Sequence, residues 1–493
     1  MASKTHKKEP MIGPLIAFLT YASYGLLILI GHLRDFMGAL TGLTRYPSAK
    51  PSKGYAVLLK SWESFYTRRL YHRIQDCWNR PICSSPGAHI TLMERESKDN
   101  NCSFQLTGRT FEALNMGSYN YLGFGDNWEE SCGKEVLDTL SKWPVSSCSS
   151  RASLGSYTIV EELEKFIAEF VGKESALVYS MGYGTNSNTI PALMGPETLI
   201  ISDSLNHTSI VNGSRGSSAQ IRVFRHNDPK HLEEILRETI VNGQPKHHRP
   251  WKKILVMVEG IYSMEGAISQ LKEIVGICKR FKAYIYVDEA HSIGALGRTG
   301  RGVCEQTGVD PKDIDILMGT FSKSFGGMGG YISGSKEVID QIRSYSNGFL
   351  HHNSLSPIVA KQVLTALHII ASPDPNGLGR RKLEQLRENS NFFRSEMERL
   401  GLHTYGDYDS PIIPVLIYCP GKIAAFSREC LKRGVAIVVV GFPATSVILS
   451  RARFCISASH TREDLVHAVK VIDEVTELLC MKYDKNFIGG TTL

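Results

Sequence analysis

Residues 319–331 read GTFSKSFGGMGGY and follow directly on the largely apolar run Ile314–Met318. Lys323 stands there between the hydroxyl residues Thr320 and Ser322 and a cluster of glycines. A short apolar run that ends in hydroxyls and glycines is typical of a buried strand whose last residues reach a ligand. A lone lysine is usually a solvated surface charge, so it is this setting that makes Lys323 a candidate site residue.

Short apolar and β-branched runs recur upstream and alternate with stretches of helical periodicity. This alternation predicts βαβ units and a mostly parallel sheet that helices cover on both faces. The predicted strands are Thr198–Ile201, Ile254–Val258, Tyr284–Val287 and Ile314–Met318, and the helices between them include His231–Val241 and Leu271–Phe281.

Polar and titratable residues follow each of these predicted strands. Ligands of open parallel sheets bind beyond the carboxyl ends of the strands. These residues therefore form a convergent set that a purely structural sheet would not need. They are Asp203–His207 (DSLNH), Glu259–Ser263 (EGIYS), Asp288–His291 (DEAH) and Gly319–Lys323 (GTFSK).

The residue types in this set suit one kind of chemistry. A desolvated lysine amine can form an imine, and hydroxyls with closely approaching backbone can hold a phosphate. A carboxylate such as Asp288 can keep a pyridine nitrogen protonated, so that the ring accepts carbanion electrons. Lys323, Thr320, Ser322 and Asp288 thus predict a site for an aldehyde cofactor with a pyridine ring and a phosphate.

The chain resembles the α-oxoamine synthase family of fold-type I enzymes that depend on pyridoxal 5'-phosphate, from about Gly31 to the C-terminus. The resemblance implies a mostly parallel, seven-stranded sheet with helices on both faces and a smaller C-terminal α/β domain. The matching stretches are NMGSYNYLGF (Asn115–Phe124), SDSLNHTSIVNG (Ser202–Gly213), VEGIYSMEG (Val258–Gly266), VDEAHSIGALG (Val287–Gly297), GTFSKSFGGMGGY (Gly319–Tyr331), GFPAT (Gly441–Thr445) and RARFCISASHT (Arg451–Thr461).

The resemblance also implies roles for individual residues. Lys323 would form the imine with the cofactor, Asp288 would pair with the pyridinium nitrogen, and His207 would stack on the ring. Arg453 would bind the substrate carboxylate, although Arg451 on the same strand face could take that role. The other expected cofactor contacts are His291, Gly182, Tyr183, Ser263, Thr320 and Ser322, and the other expected substrate contacts are Asn120 and Tyr121.

The implied activity is that of an acyltransferase. Within the family the chain is most similar to members that condense L-serine with a long-chain acyl-CoA such as palmitoyl-CoA. Their products are 3-oxosphinganine, coenzyme A and carbon dioxide, in the first step of sphingolipid biosynthesis. The alternatives are 5-aminolevulinate synthase or 2-amino-3-ketobutyrate CoA ligase activity, or a non-catalytic structural subunit or membrane scaffold.

Two stretches depart from the family pattern. In Ser146–Leu163 (SSCSSRASLGSYTIVEEL), Val160 stands where these enzymes usually have a histidine. His351–Ser354 (HHNS) departs from the small hydroxyl pattern that reaches the phosphate of the neighbouring subunit in related homodimers. These departures leave acyl-chain preference and that intersubunit contact open.

The N-terminal region is set apart by charge and hydropathy. Residues 1–80 hold 12 Lys or Arg against 4 Asp or Glu, whereas the whole chain has a net charge of only +7. Basic residues confined to one end favour an anionic membrane surface over nucleic acid. Met11–Gly31 is an uncharged stretch of 21 residues, long enough for a helix to cross a bilayer or to lie on it.

These features predict a division of the chain into an N-terminal membrane anchor segment (1–55), a connecting arm (56–110), a large cofactor-binding domain (111–371) and a small C-terminal domain (372–493). The Pro/Gly-rich joint Ser372–Gly379 marks the last boundary. In the small domain Ile412–Tyr418, Ala436–Val440 and Arg453–Ser457 read as strands, and Glu463–Leu479 reads as a helix.

The 11 cysteines are scattered without metal-ligand spacing, which argues for free thiols in a reducing compartment and against a metal site. The body is therefore expected to face the cytosol. The resemblance further implies the endoplasmic reticulum membrane, a heterodimer with a related subunit that lacks the lysine, and small membrane-embedded regulatory subunits.

Overall fold

The computed structural model describes residues 13–41, 54–56, 61–126 and 128–483. The strands are β1 His89–Glu96, β2 Gln105–Asn115, β3 Ser175–Tyr179, β4 Leu199–Asp203, β5 Gln220–Phe224, β6 Ile254–Glu259, β7 Tyr284–Asp288, β8 Ile316–Thr320, β9 Gly330–Gly334, β10 Ile412–Leu416, β11 Val435–Ala436, β12 Val438–Val440 and β13 Arg451–Cys455. The helices are α1 Pro14–Thr41, α2 Ser61–Arg69, α3 Lys134–Leu140, α4 Thr158–Val171, α5 Gly182–Leu193, α6 Thr208–Gly216, α7 Pro229–Asn242, α8 Leu271–Phe281, α9 Val303–Thr307, α10 Lys336–Tyr345, α11 Asn347–His351, α12 Pro357–Ala371, α13 Leu378–Arg399, α14 Pro420–Lys432 and α15 Arg462–Leu478.

A seven-stranded sheet forms the centre of the molecule, in the strand order β3-β9-β8-β7-β6-β4-β5. The pairs from β8 to β5 are parallel, and β9 alone runs against its neighbours β3 and β8. The four strands predicted from the apolar runs are all present in this sheet. The prediction of a mostly parallel sheet is confirmed.

Helices cover both faces of the sheet, as β6 demonstrates. Val256 and Val258 point into one core with α4, α7, α8 and α12. Leu255 and Met257 point into the other core with α5, α6 and α10. A strand that is apolar at every position is required when both faces are buried, which is why these runs lack polar alternation.

The C-terminal unit has its own antiparallel sheet, β10-β13-β12, and a separate core with α13, α14 and α15. The predicted strand Arg453–Ser457 begins two residues earlier, at Arg451, because both guanidinium groups of the strand are buried in specific contacts. The predicted strand Ala436–Val440 is split at Ile437, with β11 in one sheet and β12 in another. Strand β11 pairs with β2, so the hairpin of β1 and β2 joins the C-terminal unit.

The predicted membrane segment corresponds to α1, except that Met11 and Ile12 lie outside the described residues. Pro14–Gly38 has a mean hydropathy of 1.8 and is long enough to cross a membrane. One side of α1 contacts the body: Thr20 is buried, and Asp35 pairs with Arg68 and Arg69 of α2. The other side exposes apolar residues, which are Leu15, Phe18, Leu19, Leu26, Leu29, Leu33, Phe36, Met37 and Leu40.

Candidate active site

Lys323 lies in the turn after β8, at the carboxyl edge of the sheet. The turn is fixed by backbone hydrogen bonds from Phe321 to Gly329 and from Gly327 to Phe321. Gly326 has a φ of +61°, and a Cβ there would lie 2.8 Å from the carbonyl carbon of Phe124, so this turn requires glycine. The sequence pattern of lysine followed by glycines therefore has a local structural cause.

The Lys323 amine points over the ring of Tyr119, 5.6 Å from its centroid. No hydrogen bond to this amine is formed by the described part of the chain. Burial lowers the pKa of Lys323 to about 8, although the charge of Asp288 opposes the shift. A substantial fraction of the amine is therefore neutral and nucleophilic near neutral pH.

Two hydroxyl groups lie close to the start of α5. Helix α5 starts at Gly182, and a Cβ at this residue would lie 2.6 Å from the Thr320 hydroxyl. That hydroxyl is 2.8 Å from the hydroxyl of Ser322. A helix N-terminus beside two hydroxyls is a favourable place for a phosphate. Tyr183, the next residue, is exposed, with its ring 6.1 Å from that of His207.

Asp288 ends β7 and is buried. One carboxylate oxygen accepts a hydrogen bond of 2.8 Å from the Asn186 side chain, and the other accepts one of 2.9 Å from the backbone N–H of Ala290. Asn186 in turn accepts a hydrogen bond of 2.6 Å from Tyr286. These hydrogen bonds fix the orientation of the carboxyl group that is predicted to pair with a pyridine nitrogen.

His207 immediately precedes α6 and lies at the mouth of the site. Its Nδ1 atom is 2.7 Å from the Ser209 hydroxyl, and that hydroxyl accepts a hydrogen bond of 2.9 Å from Asn186. Partial burial of the imidazole lowers the pKa of His207, so the ring is neutral at pH 7. Asn186 thus connects the predicted stacking residue with Asp288.

His291 is buried beside two tyrosines. Its Nδ1 atom is 2.8 Å from the hydroxyl of Tyr121, and its ring meets that of Tyr119 edge to face at 5.2 Å. Burial, together with the nearby charges of Lys323 and Arg453, holds the pKa of His291 well below its usual range. The imidazole is therefore neutral and can share a proton with a phenolic oxygen.

The two arginines of β13 have different surroundings. Arg451 donates to the carbonyl oxygens of Met264 at 2.7 Å and Leu449 at 2.9 Å, and pairs with Glu265 at 3.2 Å. Arg453 lies over the ring of Tyr119 at 4.7 Å, and its Nη1 atom is 3.8 Å from the Met264 sulfur. The buried Nε atom of Arg453 has no hydrogen-bond partner in the described regions. Arg453 is therefore the better placed of the two to bind a carboxylate.

Two other predicted contacts stay predictions. The Asn120 side chain donates to the carbonyl of Pro86 and accepts from the backbone of Gly125, each at 3.1 Å. This amide is thus occupied in holding its own loop. Ser263 lies in the turn after β6, next to the Met264 residue that contacts Arg453.

Glu259 and Asn186 are site residues whose roles the sequence did not predict. Glu259 lies in one of the four predicted strand ends, and that position was its only signal. Asn186 lies one turn inside α5, and a polar residue within a helix gives no signal of a functional role in the sequence.

The two stretches that depart from the family pattern, 146–163 and 351–354, meet in the structure, because Ser150 forms a β-bridge with Asn353. Val160 belongs to α4 and is fully buried in the core.

The residues present fit pyridoxal 5'-phosphate. The α5 N-terminus with Thr320 and Ser322 suits the phosphate, Asp288 suits the ring nitrogen, and His291 suits the phenolic oxygen. The Lys323 amine, which has no hydrogen-bond partner among the described residues, lies near both Asp288 and Arg453 and suits the aldehyde. The unpartnered, buried Nε atom of Arg453 leaves a position for an anionic substrate group.

Comparison with known proteins gives a consistent assignment. Residues 112–472 match the family model described as aminotransferase class I and II. The chain is 54% identical over 469 residues to long chain base biosynthesis protein 2a of Arabidopsis thaliana, covering 95% of each chain. It is 49% identical over 475 residues to serine palmitoyltransferase 2 of Dictyostelium discoideum, covering 96% of each.

Solved structures agree with this assignment. A serine palmitoyltransferase with its PLP internal aldimine has a TM-score of 0.74 and 26% identity, covering 86% of this chain and 100% of that one. The serine palmitoyltransferase of Sphingomonas wittichii has a TM-score of 0.74 and 27% identity, covering 86% and 99%.

Proposed function

The chain belongs to the aminotransferase class I and II family and, within it, to the serine palmitoyltransferase group, and from this membership we propose that it condenses L-serine with palmitoyl-CoA. The products are 3-oxosphinganine, coenzyme A and carbon dioxide. The enzyme is an acyltransferase that depends on pyridoxal 5'-phosphate, and the reaction is the first step of sphingolipid synthesis.

One observation carries the proposal: a lysine amine with a pKa of about 8 and no hydrogen-bond partner in the described residues lies near Asp288, directly after the paired hydroxyls of Thr320 and Ser322. A structural subunit has no need of such an amine. Bound pyridoxal phosphate supplies a protonated ring that stabilises negative charge on the α-carbon of an attached amino acid.

The side chains of the site divide the remaining work. Arg453 holds the serine carboxylate with a two-pronged set of donors and so orients the α-carbon. The neutral amine of Lys323, free of competing bonds, removes the α-proton and can return one later. Hydrogen bonds from Asn186 and the backbone of Ala290 hold the Asp288 carboxyl group in position for the ring nitrogen. His207 would stack on the face of the cofactor ring.

We also assign this chain to a membrane surface through α1. The body contacts one side of the helix from Thr20 to Asp35, so the exposed apolar side is free to enter lipid. We propose that the body faces the cytosol. We propose the endoplasmic reticulum as the membrane, with a lysine-less relative as the partner subunit and small membrane proteins as regulators.

The activity is tested with the chain purified together with that relative, in detergent, with pyridoxal phosphate. Carboxyl-labelled serine and palmitoyl-CoA should give labelled carbon dioxide and free coenzyme A in equal amounts. Labelled glycine in place of serine should give neither. Release from glycine but not from serine would assign the chain to another condensation of the same family.

The membrane surface is tested with the double variant Leu26→Lys and Leu33→Lys, which charges the exposed side of α1. Alkaline extraction of membranes should release this variant and not the native chain. The matched control is Val466→Lys, on an exposed apolar position of α15, which should stay with the membrane. Retention of the double variant would contradict the assignment.

A further inference from the structure

Glu259 is a buried carboxyl group of the site that the proposed reaction does not use. It ends β6 and is paired in register with Asp288, the last residue of the neighbouring parallel strand. Only 4% of its surface is exposed. Two carboxyl groups at the same level of adjacent strands compete for negative charge, because each raises the cost of ionising the other.

The hydrogen bonds favour Asp288 as the charged member. Asp288 accepts from two donors, the Asn186 side chain and the Ala290 backbone. Glu259 accepts from one, the backbone N–H of His207, at 2.5 Å. Each donor stabilises the ionised form of the carboxyl group that it contacts.

The wider surroundings of Glu259 point the same way. Burial raises the pKa of Glu259 well above its usual range, and the charge of Asp288 is the next contribution. Asp203 of β4 adds to the shift, while the hydrogen bond from His207 and the charge of Lys323 oppose it. The Tyr262 hydroxyl, a further titratable group beside Glu259, accepts a hydrogen bond from the Glu259 backbone N–H and is itself buried.

The Glu259 carboxyl group contacts the backbone of His207. His207 precedes α6, and its backbone N–H has Glu259 as its acceptor. Its imidazole is fixed separately by Ser209 and, through Ser209, by Asn186. Removing the Glu259 acceptor would leave a partly buried N–H without its partner and loosen the residue predicted to stack on the cofactor ring.

We propose that Glu259 is a positioning residue that remains a neutral carboxylic acid, orients His207 through its backbone, and leaves Asp288 as the only anion at the ring nitrogen. This inference deepens the proposed function and rests on it. Glutamine reproduces the acceptor oxygen and the absence of charge, so Glu259→Gln should behave like the native enzyme. Alanine removes the acceptor.

The test uses the visible absorption and circular dichroism of the cofactor in the purified complex. Glu259→Gln should keep the native pH midpoint of the absorption band and the native dichroism. Glu259→Ala should lose most of the dichroism and bind the cofactor about tenfold more weakly, the effect of one buried hydrogen bond. The control is Asp315→Asn, a partly buried carboxyl group at the opposite edge of the sheet that accepts from the backbone of Ile285, which should leave both signals unchanged.

The outcomes separate the two proposals. A native complex with no visible band contradicts the proposed function. A normal native band whose pH midpoint moves by one unit or more in Glu259→Gln shows that Glu259 acts as an anion, which overturns the inference. Native dichroism in Glu259→Ala overturns its positioning role. If the Glu259→Ala variant does not fold, the Glu259→Gln variant alone tests the inference. If Glu259 is a neutral acid, the absorption band of Glu259→Gln must have the same pH midpoint as that of the native enzyme.

Discussion

The two edges of the central sheet each hold a partly buried lysine, and only one of these lysines is available for chemistry. At the amino edge, Lys173 donates to the backbone carbonyl oxygens of Pro311 and Ile314. At the carboxyl edge, Lys323 has no such bond within the described residues. Burial lowers the pKa of both amines. The comparison teaches that a perturbed pKa does not by itself identify an active lysine, whereas a perturbed amine without a partner does.

Two aspartates, Asp315 and Asp288, show the same difference between the amino and carboxyl edges of the sheet. Asp315, at the amino edge, accepts a hydrogen bond of 2.7 Å from the backbone of Ile285 beside a cavity of about 700 Å³. Asp288 lies instead beside a lysine, two histidines and a helix N-terminus. The cavity at the amino edge has size but lacks these groups. The position of the active site in this fold is therefore set by the carboxyl ends of the strands and not by the size of the available cavity.

The largest expected effect comes from the two lysines. Lys323→Ala should lower serine-dependent activity by about ten-thousandfold or more, because the residue acts as the amine that every turnover requires. Lys173→Ala should keep the activity and lose about 1–3 kcal/mol of unfolding free energy, since two carbonyl groups lose their donor. Turnover assays and urea denaturation measure the two effects. Equal loss of activity in both variants would break the contrast between the edges.

The two aspartates should differ next. Asp288→Asn should reduce turnover by about a hundred- to a thousandfold, because a neutral amide does not hold the ring nitrogen protonated. Asp315→Asn, at the other edge, should turn over at the native rate. Steady-state kinetics at saturating serine gives both values. An inactive Asp315→Asn variant that is still folded would show that the amino edge takes part in catalysis.

The arginines of β13 sharpen the comparison within one strand. Arg453→Ala should raise the KM for serine by about ten- to a hundredfold, the effect of losing hydrogen bonds to a charged group. Arg451→Ala should instead lower the unfolding free energy by about 3–5 kcal/mol, because it leaves Glu265 buried without its partner. Kinetics and thermal melts separate the two. A raised KM in a stable Arg451→Ala variant would exchange their roles.

The smallest effect is a pH dependence of cofactor uptake by the cofactor-free chain. Burial disfavours the charged ammonium of Lys323, so its neutral fraction rises with pH and levels off above a pKa of about 8. Below that pH, the initial rate of uptake should rise about tenfold per pH unit. Stopped-flow absorbance measures it. A midpoint near 10.4, the usual lysine value, would show an amine that is not desolvated.

Most of the residues at the carboxyl edge of the sheet could be predicted from the sequence. Buried parallel strands need continuous apolar runs, and ligands bind at the carboxyl ends of such strands. Lys323, Asp288, His207 and His291 were predicted together, and the structure brings them together. The strand of Arg451 and Arg453 was displaced by two residues in the prediction, since guanidinium groups look like surface charges until their buried partners are known. Val438–Val440 was joined to Ala436 because sheet membership is not encoded in hydropathy.

The contacts made by Asn186 and Glu259 could not be predicted for a related reason. The Asn186 side chain contacts Asp288 and Ser209, which are distant in sequence and come together only in the fold. The Glu259 carboxyl group contacts a backbone N–H, and every residue except proline has one. A sequence shows which residues can ionise, but the fold decides which of them share a proton.

The account is tested most directly by borohydride reduction of the assembled, active complex followed by peptide mapping. Reduction should fix a pyridoxyl group on the peptide that contains Lys323, at close to one group per catalytic chain, and on no peptide that contains Lys173. An active complex whose Lys323 peptide remains unmodified, or carries its pyridoxyl group on another lysine, would contradict the assignment of this edge as the active site.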